Sequence, residues 1–201
     1  MSLAKTTIKF VRSLQQKKFR QNYNKFIVEG DKLLKEYFLD PQFPLDSLYA
    51  TEGWLADNEL LVASERKKVF QVSGAELDRI SNLSNPNEVL AVLDQKILPL
   101  NPHLLSSDMS LYLDKIMDPG NFGTILRIAD WFGIRQVFYS PDSVDPFNPK
   151  VVQASMGAIF RVKFIEIDLL DLHRTYPEIH LVGAAMEGKS VYDYESTPGT
   201  L

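Results

Sequence analysis

Arg127 and Asn121 stand six positions apart in the stretch DPGNFGTILRIADWFG, residues 118–133. A guanidinium stays protonated at any working pH and suits an anionic oxygen, while an asparagine amide both donates and accepts. Asn121 also has a plainer role open to it, as a helix cap. A second chemical signal is GAAMEGKS at 183–190, which fits the G-x-x-x-x-G-K-S/T spacing of a phosphate-cradling loop. A third is the run KTTIKFVRSLQQKKFRQNYNK at 5–25, where Lys17, Lys18, Arg20 and Lys25 interleave with Phe19 and Tyr23. Basic side chains neutralise phosphates and aromatics stack on unpaired bases. A solvated terminal helix would carry the same residues. His103, His173 and His180 are scattered without ligand-like spacing, and there is no cysteine, so no metal site is expected.

The elements around these residues follow from periodicity. Ile125, Ile128, Ala129 and Phe132 fall at i, i+3, i+4 and i+7 and predict one apolar stripe facing a sheet, with Arg127 and Asp130 on the other side. Apolar runs at 110–118 and 136–140 predict flanking strands. The turn at 118–121 then sits at the carboxyl end of a strand, the edge where open α/β sheets bind ligands. Asn148 before Pro149 is a helix start, and Val162–Ile167, Leu169–Tyr176 and His180–Met186 read as strand, helix and strand. These near-continuous apolar strands separated by helices predict a parallel sheet covered on both faces. A phosphate loop must run into a helix, yet Ser190 is followed by VYDYESTPGTL, a poor helix former, and the apolar run continues through Met186.

Upstream, 26–29 is a short strand broken by Gly30, and DKLLKEYFLD at 31–40 a helix with Leu33, Leu34, Tyr37 and Phe38 inward. Strands are predicted at 48–50, 67–72 and 88–93, a helical turn at 53–58 and a helix at 75–83 started by Ser73 or Gly74. A turn falls at Asn85-Pro86-Asn87. This alternation predicts a small α/β domain over 1–96. Residues 97–107 lose periodicity and predict a linker, and a second domain runs from 108 to 201.

Composition bounds the class. Hydrophobic content of 45% and charged content of 24% fit a globular protein. No apolar run reaches membrane-span length and no signal sequence leads the chain, so a cytoplasmic protein without a membrane partner is expected. Net charge is −4, which by itself argues against nucleic acid. The distribution argues otherwise: residues 1–25 hold seven basic residues and no acidic one, leaving a net −11 on the remainder.

The pattern Asn121-x-Gly123-x-x-x-Arg127, followed by Ala129-Asp130 and Gly133, resembles the first signature motif of the SpoU (TrmH-like) RNA 2′-O-ribose methyltransferases of the SPOUT class. Ser155-Met156-Gly157-Ala158 is similar to the second motif, and FIVEGDKLLKEYF to the opening of the family's N-terminal substrate-binding domain. The resemblance implies a ribosomal-protein-like RNA-binding domain followed by a parallel-sheet SPOUT (α/β knot) domain. It also implies S-adenosylmethionine as methyl donor, rRNA or tRNA as substrate, and a homodimer. It assigns Arg127 to the ribose hydroxyl and adjacent phosphate, Asn121 to site geometry, and Ala185, Met186 and Gly188 to part of the donor pocket. A basic run next to FIVEG is also found in the family, which assigns Lys17, Lys18, Arg20 and Lys25 to RNA. The family's third motif, G-N-E-G followed by I-P-M and S-L-N, does not occur between Thr197 and Leu201, where it would begin. The expectation is therefore an incomplete catalytic domain: the full-length protein methylates, whereas these 201 residues bind the donor poorly and do not. The alternatives are a non-catalytic RNA-binding protein and a P-loop nucleotide-binding protein.

Overall fold

A computed structural model describes residues 3–83, 87–96, 99–193, 195 and 197–201. The predicted turn residues Asn85 and Pro86 and the first linker positions, 97 and 98, lie outside the described residues. Among the described residues the chain forms a mixed α/β structure with two sheets.

Helices α1 (Lys5–Ser13) and α2 (Lys17–Tyr23) precede β1 (Lys25–Glu29); the arm, which the sequence predicts as a short helix and a basic loop, is two helices. Next come α3 (Asp31–Leu39), β2 (Leu45–Ala50), α4 (Glu52–Asp57), a 3-10 segment (Ala63–Lys68), β3 (Val69–Gln71), α5 (Gly74–Ile80) and β4 (Val89–Asp94). The sheet order is β1-β4-β2-β3, with β2 and β3 parallel and the other pairs antiparallel. Successive strand residues point to opposite faces, and each face has its own core. Phe26, Val28, Leu48, Ala91 and Leu93 pack with Leu33, Leu34 and Tyr37 of α3. Ile27, Tyr49, Leu90 and Val92 pack with Ile8 and Val11 of α1 and Leu77 and Ile80 of α5. Ser73 and Glu76 form a reciprocal capping box at the start of α5.

The predicted linker contains a helix, α6 (Pro102–Ser107). Asn101 caps it through the His103 N–H, Pro102 fits its first position, and Leu104 and Leu105 are buried. It leads into β5 (Leu111–Leu113), α7 (Pro119–Trp131), β6 (Gln136–Tyr139), α8 (Pro149–Ser155), a 3-10 turn (Ala158–Phe160), β7 (Lys163–Glu166) and α9 (Leu169–Thr175). Strands β5-β6-β7 form a parallel sheet in that order. Its faces are covered by α7 and α8 on one side and by Leu105, Leu172, Ile179 and Leu201 on the other. The predicted strand His180–Met186 does not form. Among the described residues His180 and Val182 alone of this run pair, with residues 199–201, and the chain beyond is exposed. An apolar run becomes a strand only where a partner supplies a hydrogen-bond ladder, and beyond Val182 no ladder bond is made among the described residues.

The two sheets share a core. Phe147 packs on Phe26, Phe43 and Phe164, and Phe160 packs on Tyr37 and Phe43. Val152 and Ile159 complete the same cluster. Arg161 adds a polar clasp, bonding Asp130 of α7 at 2.7 Å and Glu36 of α3.

Candidate active site and nucleic-acid interface

The turn between β5 and α7 is held by two hydroxyls from the loop after β6. Ser140 Oγ accepts from the Lys115 N–H at 2.8 Å, and Ser143 Oγ accepts from the Ile116 N–H at 3.1 Å. The hydroxyls touch each other, and Ser143 also donates to the Leu113 carbonyl. Lys115 adopts a left-handed φ of 52°, which bends the chain out of the strand. Neither serine was singled out from sequence; an isolated serine in a polar loop carries no signal that its hydroxyl will meet a backbone amide 25 or more positions away.

The cap of α7 is Asp118, whose carboxylate accepts from the Asn121 N–H at 2.7 Å. Asn121 therefore lies inside the first turn and is not the cap, with its side chain exposed. Pro119 at the first helical position needs no N–H partner. The buried face of α7 is Phe122, Gly123, Leu126 and Ala129; of the predicted stripe Ala129 is buried and Ile125 packs beside it, but Ile128 and Phe132 are exposed. The cause is Gly123. A Cβ there would stand 2.6 Å from Ala154 Cβ and 2.7 Å from the Val151 carbonyl oxygen, so the glycine is where α8 comes closest and fixes the rotation of α7. After α8, Met156 and Gly157 both take left-handed φ, 51° and 95°, and Ala158 is fully buried. That makes the S-M-G-A stretch a helix stop that packs back on α7.

Arg127 is exposed and, among the described residues, has no hydrogen bond or ion pair. Six positions on an α-helix amount to about 9 Å of rise and about 120° of rotation. Asn121 and Arg127 thus do not share one stripe. Asn121 belongs to the turn at the sheet edge, and Arg127 projects from the helix flank.

The basic arm divides into two kinds of residue. Lys17 and Lys18 are exposed on α2. Arg20, expected at an RNA-facing surface, is instead buried. Its guanidinium is spent on Asp145 and on the carbonyls of Leu14 and Gln15. Lys25 bridges Asp46 at 2.8 Å and Asp94. Burial opposes the Lys25 charge, but the two carboxylates prevail and hold its ammonium above the ordinary range.

Ala185, Met186 and Gly188 lie on an exposed loop, and nothing stands within 4 Å of a Cβ built at Gly183 or Gly188. As arranged, these residues do not enclose a methyl donor. The following segment is a 3-10 turn (Val191–Asp193), so among the described residues no helix of the kind a phosphate loop needs follows it. Among the described residues no group of His, Asp or Glu could hold a metal, and no helix is long and apolar enough to cross a membrane.

A cleft of about 950 Å³ opens between the arm, the end of β1 and the first turns of α7 and α8. Gln15, Glu29, Asn82, Pro119, Lys150 and Gln153 are among its lining. Burial pushes the Glu29 carboxyl above the ordinary range, against the bonds it accepts from Ser81 Oγ at 2.5 Å and the Asn82 N–H at 3.0 Å. This glutamate, too, carried no sequence signal beyond its place in FIVEG.

Residues 5–91 match an MRM3-like substrate binding domain, and residues 108–201 match the SpoU rRNA Methylase family. A solved TrmH-family structure from Porphyromonas gingivalis superimposes over 100% of this chain and 80% of its own, with TM-score 0.82 and 34% identity. The chain belongs to the SpoU (TrmH-like) methyltransferase family. An rRNA methyltransferase from Sinorhizobium meliloti, solved with S-adenosylmethionine bound, aligns over 100% of this chain and 78% of its own, with TM-score 0.85 and 28% identity. A Bacillus subtilis 23S rRNA guanosine 2′-O-methyltransferase is 25% identical over 81% of this chain and 62% of its own length. The SpoU chain described here spans 37% to 62% of the length of the curated relatives it matches. The SpoU match begins at residue 108, so Arg127, Asn121 and the 183–190 loop all fall within it, while Lys17, Lys18, Arg20 and Lys25 fall within the substrate-binding match.

Proposed function

We propose that the whole protein transfers a methyl group from S-adenosylmethionine to a ribose 2′-hydroxyl of rRNA or tRNA. The observation that carries this reading is Arg127: an exposed guanidinium without a partner among the described residues, on the helix that starts at the carboxyl edge of a parallel sheet, where such sheets bind ligands. S-adenosylmethionine supplies a methyl group already activated on a sulfonium. The residues of this chain have the remaining tasks. Arg127 holds the phosphate beside the reacting ribose and stabilises charge developing on the hydroxyl oxygen. The Asp118 cap and the Ser140–Ser143 pair fix the turn from which Asn121 projects. Lys17 and Lys18 take the RNA backbone; Lys25 and Arg20 support the arm they stand on.

Two finer statements belong to the same reading. Because Ala185, Met186 and Gly188 stand on an open loop, we propose that these 201 residues hold the donor weakly and are inactive alone. Because Trp131 and Phe132 are 85% and 73% exposed on α7, we propose that this face is covered in a homodimer.

The test is methyl transfer to rRNA and tRNA by the whole protein, followed by nucleoside mass spectrometry. The expected product is a 2′-O-methylnucleoside. Methyl groups found only on bases, or none at all, would overturn the reading. The second reading, an RNA-binding protein without catalysis, is favoured by the open donor loop and is the outcome if RNA binds but no methyl group is transferred.

A further inference from the structure

The 950 Å³ cleft falls in the range of small-ligand sites, roughly 300–1,000 Å³. Its lining comes from both matched regions. Gln15, Ile27, Glu29, Asn82 and Leu83 come from the substrate-binding side, and Pro119, Lys150 and Gln153 from the methylase side. It also joins the two features the RNA reading uses. Gln15 stands two residues before Lys17 and Lys18, and Pro119 stands next to the Asp118 cap and two residues before Asn121. An RNA strand lying on the two lysines and reaching the α7 turn passes this opening.

We propose that the cleft receives one unstacked nucleotide of single-stranded RNA, with its phosphate at Lys150 and its base edge read by Asn82, Gln15 and Gln153. The proposal rests on the RNA reading above and adds where a nucleotide goes and what reads it.

The chemistry of the lining separates the two ends of the nucleotide. Lys150 is exposed and, among the described residues, its ammonium has no partner. It is the cleft's lysine and takes a phosphate as a point charge. Glu29 repels a phosphate seated deep in the cleft, so the depth suits a base. Carboxylate oxygens accept the N–H groups of a base edge, and the amides of Asn82 and Gln15 both donate and accept. The Gln153 amide nitrogen is occupied by the Glu29 carbonyl at 2.8 Å, which leaves its oxygen as an acceptor facing outward from that bond. Ile27, Leu83, Pro119 and Pro149 supply apolar surface for the faces of the ring. A duplex cannot present a base here. In A-form RNA the bases stay stacked and paired, with the major groove too narrow for side chains, and protein readout of sequence mostly uses bases that have left the stack.

The test uses this chain and a short end-labelled single-stranded RNA of mixed sequence, read by fluorescence anisotropy without any methyl donor. Lys150→Glu is expected to weaken binding on the order of tenfold and to lower the salt dependence by about one phosphate contact. Lys67→Glu, at an exposed lysine outside the cleft lining, is the control for charge alone and is expected to change binding less than about twofold. An abasic scan of the RNA adds the base readout. One abasic position is expected to weaken binding to the wild type, and to cost nothing further in Asn82→Ala. A duplex of the same sequence is expected to bind less tightly. Lys150→Glu binding RNA as well as Lys67→Glu does, or an abasic scan without any sensitive position, would overturn the proposal. The wild type failing to bind RNA overturns it too. The methyl-transfer reading fails on a different readout, the nucleoside product, so loss of one does not imply loss of the other.

Discussion

The Arg20 guanidinium lies 2.6 Å from the Asp145 carboxylate, with the two side chains 2% and 12% exposed. The partners are 125 positions apart, and each does more than pair. Arg20 also donates to the carbonyls of Leu14 and Gln15, tying α1 to α2. Asp145 also accepts from the Phe147 N–H at 2.9 Å, which sets the ring that packs between the two sheets. Asp145 lies two residues beyond Ser143, which holds the α7 turn. The basic arm and the β5–α7 turn are therefore connected through a buried ion pair.

Removing Arg20 leaves Asp145 desolvated without a counter-charge and two carbonyls without donors. Breaking a buried pair from one side costs about 3–5 kcal/mol. Arg20→Ala is expected to lower unfolding stability by that order, and Arg20→Lys by less, since an ammonium keeps the counter-charge for Asp145 although it cannot reproduce the forked geometry. Denaturant melts of the three proteins check this. A change under about 0.5 kcal/mol in Arg20→Ala, together with weaker RNA binding, would instead return Arg20 to the RNA surface.

Gly123→Ala opposes two effects. Alanine favours a helix interior over glycine by about 1 kcal/mol. Against that, the new methyl meets Ala154 Cβ and the Val151 and Ser155 backbone, all under 3.0 Å and none the end of a flexible side chain. Overpacking of this kind costs about 1–3 kcal/mol, so the variant is expected to melt lower. Gly74→Ala, at a helical glycine with nothing within 4 Å, is the comparison and is expected to be neutral or slightly stabilising. Equal melting shifts in both would show that α7 and α8 do not meet at Gly123.

Glu29 predicts a pH dependence. Its folded pKa is raised by burial, so the folded state keeps a proton that the unfolded chain has already released. The stability this contributes is complete below the unfolded carboxylate value, about 4.3. It is lost as pH rises through the folded value, after which the curve is flat. Glu29→Gln has no such titration. The wild type's stability relative to Glu29→Gln is expected to fall from about pH 4 upward and then level off. Urea midpoints measured across that range test it, and parallel curves for the two proteins would remove the assignment.

Local signals in the sequence were reliable where one residue type has one physical use. Asn148 with Pro149 starts α8 as expected, and Ser73, one of the two expected starts, caps α5. Two failures are local, the second helix of the arm and α6 in the predicted linker; the others are long-range. Hydrophobicity named Ile128 and Phe132 as the buried side of α7, but the rotation of that helix is decided by Gly123 against Ala154, a contact across 31 positions. Arg20 read as surface because its partner is Asp145. His180–Met186 read as a strand because an apolar run does not reveal which of its residues meet a partner; here His180 and Val182 pair with residues 199–201. Of the candidate site, the turn and Arg127 were legible, while the cleft and the hydroxyls of Ser140 and Ser143 exist only once both sheets are assembled.

Arg127 is the sharpest test of the catalytic reading, because its exposure separates function from stability. An exposed side chain without a protein partner contributes within about 0.5 kcal/mol to folding, so Arg127→Ala is expected to melt with the wild type. If its guanidinium stabilises charge that develops on the ribose oxygen, its removal is expected to slow methyl transfer on the order of a hundredfold or more in the whole protein. Arg127→Lys keeps the charge but loses the fork, and is expected to recover part of the rate. Methyl transfer at wild-type rate by Arg127→Ala would remove this residue from the site.

The exposed end of α7 makes a separate prediction. Ile128, Trp131 and Phe132 lie together at the C-terminal end of α7, all exposed, and Met117 is exposed near its start. An aromatic pair left in water on a rigid helix marks a contact surface more often than a solvated one. Its use as a homodimer contact requires that the same face meet its copy about a twofold axis. A charge placed there appears on both sides of the axis and repels itself. Trp131→Glu is therefore expected to shift the protein from dimer to monomer in sedimentation experiments while leaving α7 folded, because Trp131 contributes nothing to the core beneath it. A protein that is already monomeric at every concentration, or a Trp131→Glu variant that stays dimeric, would place the dimer contact elsewhere or remove it.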